Sequence, residues 1–176
     1  VLLTTDGGRL KLSATNLEIA ISTWIGAEIQ DEGAITVPAR LLTDFVNSLN
    51  RQPITVSTMS PAKGIQLKGD RVEATISGAD ADEFPPIPSV SDGIATKISA
   101  KALRDAIHQV VLAAAVEDSR PVLTGVNMEL EGSKLTLAAA DGFRLAVHTT
   151  ELLEPVAEKL SVIVPARTLA EVERLS

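Results

Sequence analysis

Few residues of this chain are of types that carry out chemistry, and they form no recognised catalytic motif. The sequence has no cysteine and two histidines, which excludes thiolate catalysis, disulfides and zinc fingers. It contains no GxxxxGK(S/T) phosphate loop, GxSxG elbow, HExxH motif or GxGxxG loop. His108 and His148 are better explained as solvated or hydrogen-bonded side chains than as metal ligands or bases. We therefore expect no catalytic residue, no metal and no cofactor.

Carboxylates are the remaining candidates for chemistry. Asp80, Asp82 and Glu83 could hold a divalent cation, but they lack the spacing of a calcium loop, and a solvated surface run is favoured. Asp141 is either a catalyst acting with Asp118 or Asp80, or a turn residue whose side chain accepts backbone N–H bonds. The turn is favoured. A carboxylate-dependent hydrolase and a noncatalytic protein-binding scaffold stay open as alternatives.

Positive charge is concentrated in segments with helical patterns. The chain has 16 Lys or Arg and 23 Asp or Glu, a formal net charge of −7. The amphipathic segments 39–51, 100–115 and 166–175 carry six cations and four acids, a net +2 in an otherwise acidic chain. Either these cations simply face water, or the helices jointly face a polyanion. The candidate residues for such a face are Arg40, Asn47, Arg51, Lys101, Arg104, His108, Arg167 and Arg174.

The elements that must position these residues follow a repeated pattern. AITVPARLLTDFVNSLN at 34–50 aligns with LSVIVPARTLAEVERLS at 160–176, and both contain VPAR. GGRLKLSATNLEIAIST at 7–23 aligns with GSKLTLAAADGFRLAVHT at 132–149 if one residue is inserted near Gly142. A shared tetrapeptide is weak evidence, whereas two aligned blocks in the same order predict one structural unit used twice.

Hydrophobic periodicity predicts an α+β fold of antiparallel strands and single helices. The first half is predicted to contain strands at 9–14, 17–22, 34–37, 54–57, 64–69 and 71–77 and a helix at 39–51. The second half is predicted to contain strands at 94–99, 122–131, 134–140, 144–150 and 159–164 and helices at 101–115 and 166–175. The core-facing stripe of the 101–115 helix is Leu103, Ile107, Val110, Val111 and Ala114.

A proline-rich stretch divides the chain into two domains. FPPIPSVSDG at 84–93 contains three prolines, which remove ladder donors and stiffen the backbone. We therefore predict domains at 1–83 and 94–176 joined by a linker at 84–93. The first half has no counterpart of the 101–115 helix, so we expect the first domain to be truncated N-terminally and the second C-terminally.

Composition favours a soluble globular protein. Apolar residues make up 45% of the chain and the mean hydropathy is +0.20, enough to form buried cores. No apolar run approaches the roughly 18 residues of a membrane span, and no secretory leader opens the chain. Together with the absence of cysteine, this favours a cytoplasmic location and no membrane contact.

Five motifs carry a family resemblance. TVPARLLTDFVNSLN, ADADEFPPIP, SRPVLTGVNMELEG, AADGFRLAVHT and SVIVPARTLAEV occur in this order and resemble the bacterial DNA polymerase III β subunit, the sliding clamp. Subunits of that family are about twice this length and repeat one domain three times. The chain therefore resembles the first domain without its opening helix and most of the second, and a third domain is expected in the full-length protein.

The resemblance implies a ring with sheets outside and helices lining a central hole. Two subunits would close head to tail as a homodimer around duplex DNA, without sequence specificity, and the helix residues named above would face the DNA. Such a clamp is a noncatalytic processivity factor. It tethers the replicative polymerase and also binds the clamp loader and other proteins with clamp-binding motifs.

The resemblance also implies a peptide pocket for these clients. The matching positions are Leu123, Ala140, Gly142, Phe143, Arg144 and Leu145. Family members often have threonine where Ala140 stands and histidine where Phe143 stands, so the polar contacts differ here while the apolar floor is kept. The remaining wall would come from the third domain. Without the resemblance, AADGFRLAV is interpreted as a hairpin with a buried flank.

Overall fold

The computed structural model of the chain divides into two compact units. The structure describes residues 1–60, 63–88, 93–117 and 119–176. The first unit is residues 1–89 and the second is residues 90–176. This division falls inside the proline-rich stretch at 84–93. No helix in the described part of the chain is long and apolar enough to span a membrane.

The first unit contains two antiparallel sheets and one helix. Its elements are β1 (Leu2–Asp6), β2 (Arg9–Thr15), β3 (Ala20–Gly26), β4 (Ala34–Thr36), α1 (Ala39–Ser48), β5 (Thr55–Thr58), β6 (Gly64–Lys68), β7 (Glu73–Ser77) and a 3-10 turn at Ala81–Glu83. The strand orders are β3-β2-β1-β4 and β5-β6-β7. A bridge between Thr36 and Ala79 connects β4 to the chain that leaves β7. The core lies between the sheets, where Ile65 and Leu67 are fully buried.

The second unit contains one antiparallel sheet and two helices. Its elements are α2 (Ala100–Val111), a 3-10 turn at Pro121–Thr124, β8 (Gly125–Glu131), β9 (Lys134–Ala140), β10 (Leu145–Glu151), β11 (Leu160–Pro165) and α3 (Ala166–Leu175). The strand order is β10-β9-β8-β11. This order repeats the order β3-β2-β1-β4 of the first unit element by element. A helix follows the corresponding edge strand in both units, α1 after β4 and α3 after β11. The predicted repeat is confirmed.

The strand registers correct the sequence alignment of the repeat. Leu2 pairs with Ser13 in the first unit, and Asn127 pairs with Ala138 in the second. The residue numbers of corresponding positions in the two pairs therefore differ by 125. The same shift relates Thr15↔Ala20 to Ala140↔Leu145 across the next hairpin. The insertion expected near Gly142 is therefore wrong. The shift becomes 127 only in β4 and β11, where Thr36 pairs with β1 and Ile163 pairs with β8. The reason is that the connection before β11 is two residues longer than the connection before β4.

The predicted core stripe of the second unit is confirmed. Ile107, Val110 and Ala114 are buried, and Leu103 and Val111 pack against them. The helix itself is shorter than predicted, Ala100–Val111, and the chain turns after it while Ala113 and Ala114 stay in the core. In the first unit α1 has no buried residue, although Leu42 and Phe45 pack against the core.

Three predicted elements differ because local turn geometry overrides the apolar pattern. The strand predicted at 17–22 begins at Ala20, since Leu17 has a φ of +76°, which no strand residue adopts. The strand predicted at 122–131 begins at Gly125, because Pro121 opens a 3-10 turn. The helix predicted at 39–51 ends at Ser48, where Leu49 is extended.

Two further differences concern whole strands. β1 is a strand that the sequence pattern did not predict, because LLTTD is too short to show a clear alternation beside its turn. The strand predicted at 94–99 is absent. The segment is held by bonds from the Leu153 N–H to the Lys97 carbonyl, from the Thr96 hydroxyl to the Glu154 carbonyl and from the Lys97 ammonium to the Glu154 carboxylate. The first is a single backbone bond and forms no ladder.

Candidate functional site

The hairpin between β9 and β10 is built on the side chain of Asp141. Its Oδ1 accepts the backbone N–H groups of Phe143 and Arg144 at 2.9 and 3.0 Å, and its Oδ2 accepts the Arg144 Nε–H at 2.9 Å. These bonds, the two backbone bonds first, lower the pKa of Asp141 below its ordinary value. Gly142 has a φ of +94°, which a glycine adopts without strain. The interpretation of Asp141 as a turn residue is confirmed, and its lone pairs are engaged in holding the turn.

Five of the six predicted pocket residues belong to this hairpin. Phe143 is fully exposed and Leu145 is 70% exposed, so both present apolar surface to water. Ala140 is the register partner of Leu145. Leu123 lies in the 3-10 turn before β8. Because β8 begins, β9 ends and β10 begins at the same end of an antiparallel sheet, this turn and the hairpin share that end.

An apolar row continues from the hairpin across the outer face of the sheet. We define the outer face as the one opposite the side chains that pack against the core. Val147, Ala138, Asn127 and Ile163 are successive register partners on this face, and Val147 and Ile163 are more than half exposed. The Cγ2 of Ile163 lies where a side chain on Gly125 would begin, so glycine allows Ile163 to cover β8.

Sequence reasoning missed three members of this apolar surface. Val147 is two residues beyond Leu145, and the period of two in a strand places both on one face. That spacing was sufficient to find Val147. Ile163 and Val122 are 56% and 61% exposed. Strand order places Ile163 on the face of the hairpin with β8 between them, and Val122 lies in the turn that leads into β8. No local signal in the sequence reports that order.

Cationic side chains of α2 and α3 are exposed, and some have partners. The two helices pack together, and the His108 Nδ1 lies 2.7 Å from Glu173 Oε1. Arg104 donates to the Ser176 carbonyl at 3.4 Å. Lys101 and Arg167 are exposed and have no acidic partner within 4.0 Å in the described part of the chain. Arg174 bonds Glu171 on its own helix at 2.6 Å, and its side chain stays 69% exposed.

The first-unit candidates divide between a helix and a loop. Arg40 and Asn47 are exposed on α1, and the Arg40 guanidinium lies 3.9 Å from Asp44. Arg51 was predicted on this helix, and that placement is wrong, because α1 ends at Ser48 and Arg51 follows in the loop toward Pro53. Within their observed bounds the three helices carry five Lys or Arg and four Asp or Glu.

The acidic cluster is engaged in surface ion pairs. Lys63 contacts Asp80 and Glu83, and these contacts raise the pKa of Lys63, the hydrogen bond to Asp80 most of all. No group of three potential metal ligands occurs within the described residues. Asp118, one proposed partner of Asp141, lies outside the residues that the structure describes.

The second histidine also has a structural contact. His148 Nδ1 lies 2.8 Å from Gln109 Oε1, which ties β10 to α2. The favoured interpretation of His148 as a hydrogen-bonded side chain is confirmed.

Comparison with known families matches each unit to a different domain of one protein. The family described as DNA polymerase III beta subunit, N-terminal domain, matches residues 1–88. The family described as DNA polymerase III beta subunit, central domain, matches residues 97–176.

Individual relatives agree. The chain is 36% identical to a beta sliding clamp of Synechococcus elongatus, covering 99% of this chain and 47% of that protein. It is 33% identical to a beta sliding clamp of Streptomyces coelicolor, covering 97% and 45%. The DNA polymerase III subunit beta of Pseudomonas aeruginosa superposes with a TM-score of 0.91 at 32% identity, covering 99% and 48%. The chain thus spans about half the length of the curated relatives that it matches.

Proposed function

The chain belongs to the DNA polymerase III β-subunit family, the sliding clamps, and from this premise we propose that the full-length protein is a noncatalytic processivity factor for DNA replication. The observation that carries the proposal is that both units match, in order, the N-terminal and central domains of that subunit. The repeated sheet and helix of the two units support it independently.

The proposed assembly is a cytoplasmic ring of two subunits. Each subunit would contain a third domain after the two described here, with the sheets outside and the helices lining a hole that holds duplex DNA. Retention on DNA would come from topology, so the lining needs only weak, mobile contacts. Phosphate contacts are sequence-independent and salt-sensitive, which suits sliding.

The helix cations are the proposed DNA contacts. Lys101, Arg104 and Arg167 are the best placed, because they are exposed and have no acidic partner within 4.0 Å among the described residues. Arg40, Asn47, His108 and Arg174 are proposed to contribute at the same lining, and Arg51 from the loop after α1. A lining with a small net charge attracts DNA at short range, since charge interactions are largely screened beyond about 8 Å at physiological salt.

The apolar end of the second sheet is the proposed client site. Leu123, Ala140, Gly142, Phe143, Arg144 and Leu145 would receive a peptide motif of the replicative polymerase, the clamp loader or another client. The exposed row through Val147 and Ile163 supports this placement, because a contiguous exposed apolar surface marks an interaction site. The third domain would supply the facing wall.

Topological retention tests the proposed function directly. The full-length protein is loaded onto nicked circular duplex DNA with its clamp loader, washed at high salt, and the DNA is then cut with a restriction enzyme. We expect retention on the circle and release from the linear product. Equal retention on linear and circular DNA would contradict the proposal.

Charge reversal tests the lining. Lys101→Glu with Arg104→Glu should reduce loading and processive synthesis, whereas the control Lys134→Glu reverses a charge on the outer sheet face and should not. Normal processivity in the double variant, or equal loss in the control, would show that these helices do not face DNA.

Alanine variants test the client site. Arg144→Ala and Leu145→Ala should weaken the binding of a client peptide to the full-length protein. The control is Ile19→Ala, because Ile19 takes the place of Arg144 in the hairpin of the first unit. Unchanged peptide affinity in both pocket variants would refute this assignment.

A further inference from the structure

A compact cluster of two cations and the single tryptophan lies on the outer face of the first sheet. We call Arg9, Lys11 and Trp24 the outer basic patch. Lys11 and Trp24 are register partners on neighbouring strands, and the Lys11 Nζ lies 4.8 Å from the centroid of the indole ring. The Arg9 guanidinium carbon lies 5.9 Å from the same centroid. Leu10 and Leu12 point the other way, toward the core.

The cations of this patch form no ion pair with any described residue, although the Asp6 carboxylate lies beside the indole. In the described part of the chain neither Arg9 nor Lys11 has a carboxylate within 4.0 Å. The nearby carboxylate of Asp6 instead accepts the Trp24 Nε1–H at 2.8 Å. Trp24 is 40% exposed, and Gly26 opposite Arg9 adds no side chain to cover it. An acidic protein of net charge −7 therefore presents two free cations around one exposed indole.

The internal repeat shows that the fold does not require this patch. The register places Lys134, Thr136 and Thr149 of the second unit at the positions of Arg9, Lys11 and Trp24. The neighbouring carboxylates there, Glu129 and Glu131, both bind Lys159, at 3.0 and 3.1 Å. The same sheet is therefore built without an aromatic ring or a free pair of cations. A role for the patch in folding does not explain it.

We propose that the outer basic patch binds an acidic, extended segment of a partner protein. Carboxylates of that segment would pair with Arg9 and Lys11, and an apolar part of it would cover the exposed edge of Trp24. Arginine beside tryptophan is a typical composition of binding hot spots. The charge of the patch is complementary to such a segment.

The geometry favours a peptide over single-stranded nucleic acid. Proteins that bind single strands stack successive bases on aromatic rings along a basic groove. Here there is one ring, and both cations lie over it, so a base would have to displace them before stacking. Carboxylates need no such displacement, because they approach the cations from their solvent side.

Titration with a hexaglutamate peptide tests this proposal. The 176-residue chain contains one tryptophan, so its emission reports the patch directly. We expect a saturable change in Trp24 emission that weakens with added salt. The double variant Arg9→Gln with Lys11→Gln should bind roughly tenfold more weakly, because two charge-assisted contacts are lost. The control Lys134→Gln, at the matching place of the second unit, should bind like the unmodified protein.

The outcomes separate the alternatives. An unchanged melting temperature of the double variant establishes that it is folded. The binding of a labelled hexaglutamate peptide, followed by fluorescence anisotropy, should then give the same ratio of affinities between the unmodified protein and the variant without relying on Trp24. No saturable response to hexaglutamate, or an equal loss in the Lys134→Gln control, would overturn the proposal. Tighter binding of an oligothymidylate than of hexaglutamate would overturn it in favour of a nucleic-acid surface.

Discussion

The same row of the repeated sheet is hydroxyl-bearing in the first unit except at Leu2, and apolar in the second except at Asn127. In strand order the first unit has Ser22, Ser13, Leu2 and Thr36 where the second has Val147, Ala138, Asn127 and Ile163. The hydroxyls of Ser13 and Ser22 bond each other at 2.8 Å, and Ser13 is buried. In the corresponding row of the second unit, Val147 and Ile163 leave apolar surface open to water. The backbone of the repeat therefore fixes the positions, while the side chains decide which copy presents exposed apolar surface.

The adjoining hairpins share their hydrogen bonds and differ in one turn residue. Asn16 Oδ1 accepts the N–H groups of Glu18 and Ile19 just as Asp141 accepts those of Phe143 and Arg144. The hydrogen bonds of the two turns are thus the same. The second turn residue is Leu17, with a φ of +76°, in the first unit and Gly142, with a φ of +94°, in the second.

The cores differ in size as well. Among the described residues, six apolar residues are buried in the core of the first unit and thirteen in that of the second. Three of the additional buried residues lie on α2, and Ala113 and Ala114 follow it, whereas α1 has no buried residue. In this chain the second unit should therefore be the more stable one.

The largest expected effects break one core at a time. Leu67 and Leu137 are both fully buried, and replacing either by alanine should cost about 3 kcal/mol, from lost burial plus the cavity left behind. Urea unfolding followed by Trp24 emission reports the first unit. The urea midpoint of the Trp24 signal should fall in Leu67→Ala and remain unchanged in Leu137→Ala. The lost stability of Leu137→Ala should appear instead as a lower midpoint when unfolding is followed by circular dichroism. Equal shifts of the Trp24 midpoint would mean that the two units unfold as one.

A second pair of variants exchanges the turn residues. Gly142→Leu forces a leucine to positive φ and should cost about 1–2 kcal/mol. A side chain at this position has room, because its nearest neighbour is Arg120 at 3.7 Å, so the cost is that of the backbone. Leu17→Gly should be neutral or stabilise by up to about 1 kcal/mol. Thermal melting measures both, and a destabilised Leu17→Gly would show that the leucine side chain holds its turn.

A pH series distinguishes the two hairpins further. The lowered pKa of Asp141 means that its charged form stabilises the folded state. This stabilisation of the folded state is present at pH values above the ordinary carboxyl pKa. It is lost as the pH falls through the lowered pKa of Asp141. Asp141→Asn reproduces the neutral turn of the first unit. It should lower the melting temperature at neutral pH, and the difference should vanish in acid. A difference that persists in acid would point to packing instead of charge.

The smallest expected effect concerns the packed pair of α2 and α3, which has no counterpart among the described residues of the first unit. Glu173→Gln removes the carboxylate that contacts His108 and should cost less than about 1 kcal/mol, because the histidine side of the pair is exposed. Urea unfolding measures the change. A loss of several kcal/mol would show that this contact, and not the apolar stripe, holds α2 against α3.

Periodicity predicted what local sequence determines. The core stripe of α2 and the repeat that contains VPAR were both predictable, because burial imposes a spacing on the residues. The end of α1 and the start of β3 were not, since Leu49 and Leu17 leave regular geometry without a glycine or proline to announce it. The hairpin between β9 and β10 was singled out through the family motif, whereas Ile163 joins the same face only through strand order, which is a property of the whole fold.

Imaging of the full-length protein tests the central claim most directly. If the two units are copies of one clamp domain, single particles should be closed rings of repeated domains around a hole wide enough for duplex DNA. The account predicts that ring in the absence of DNA. A compact particle without a hole, or an open string of domains at the same concentration, would contradict it.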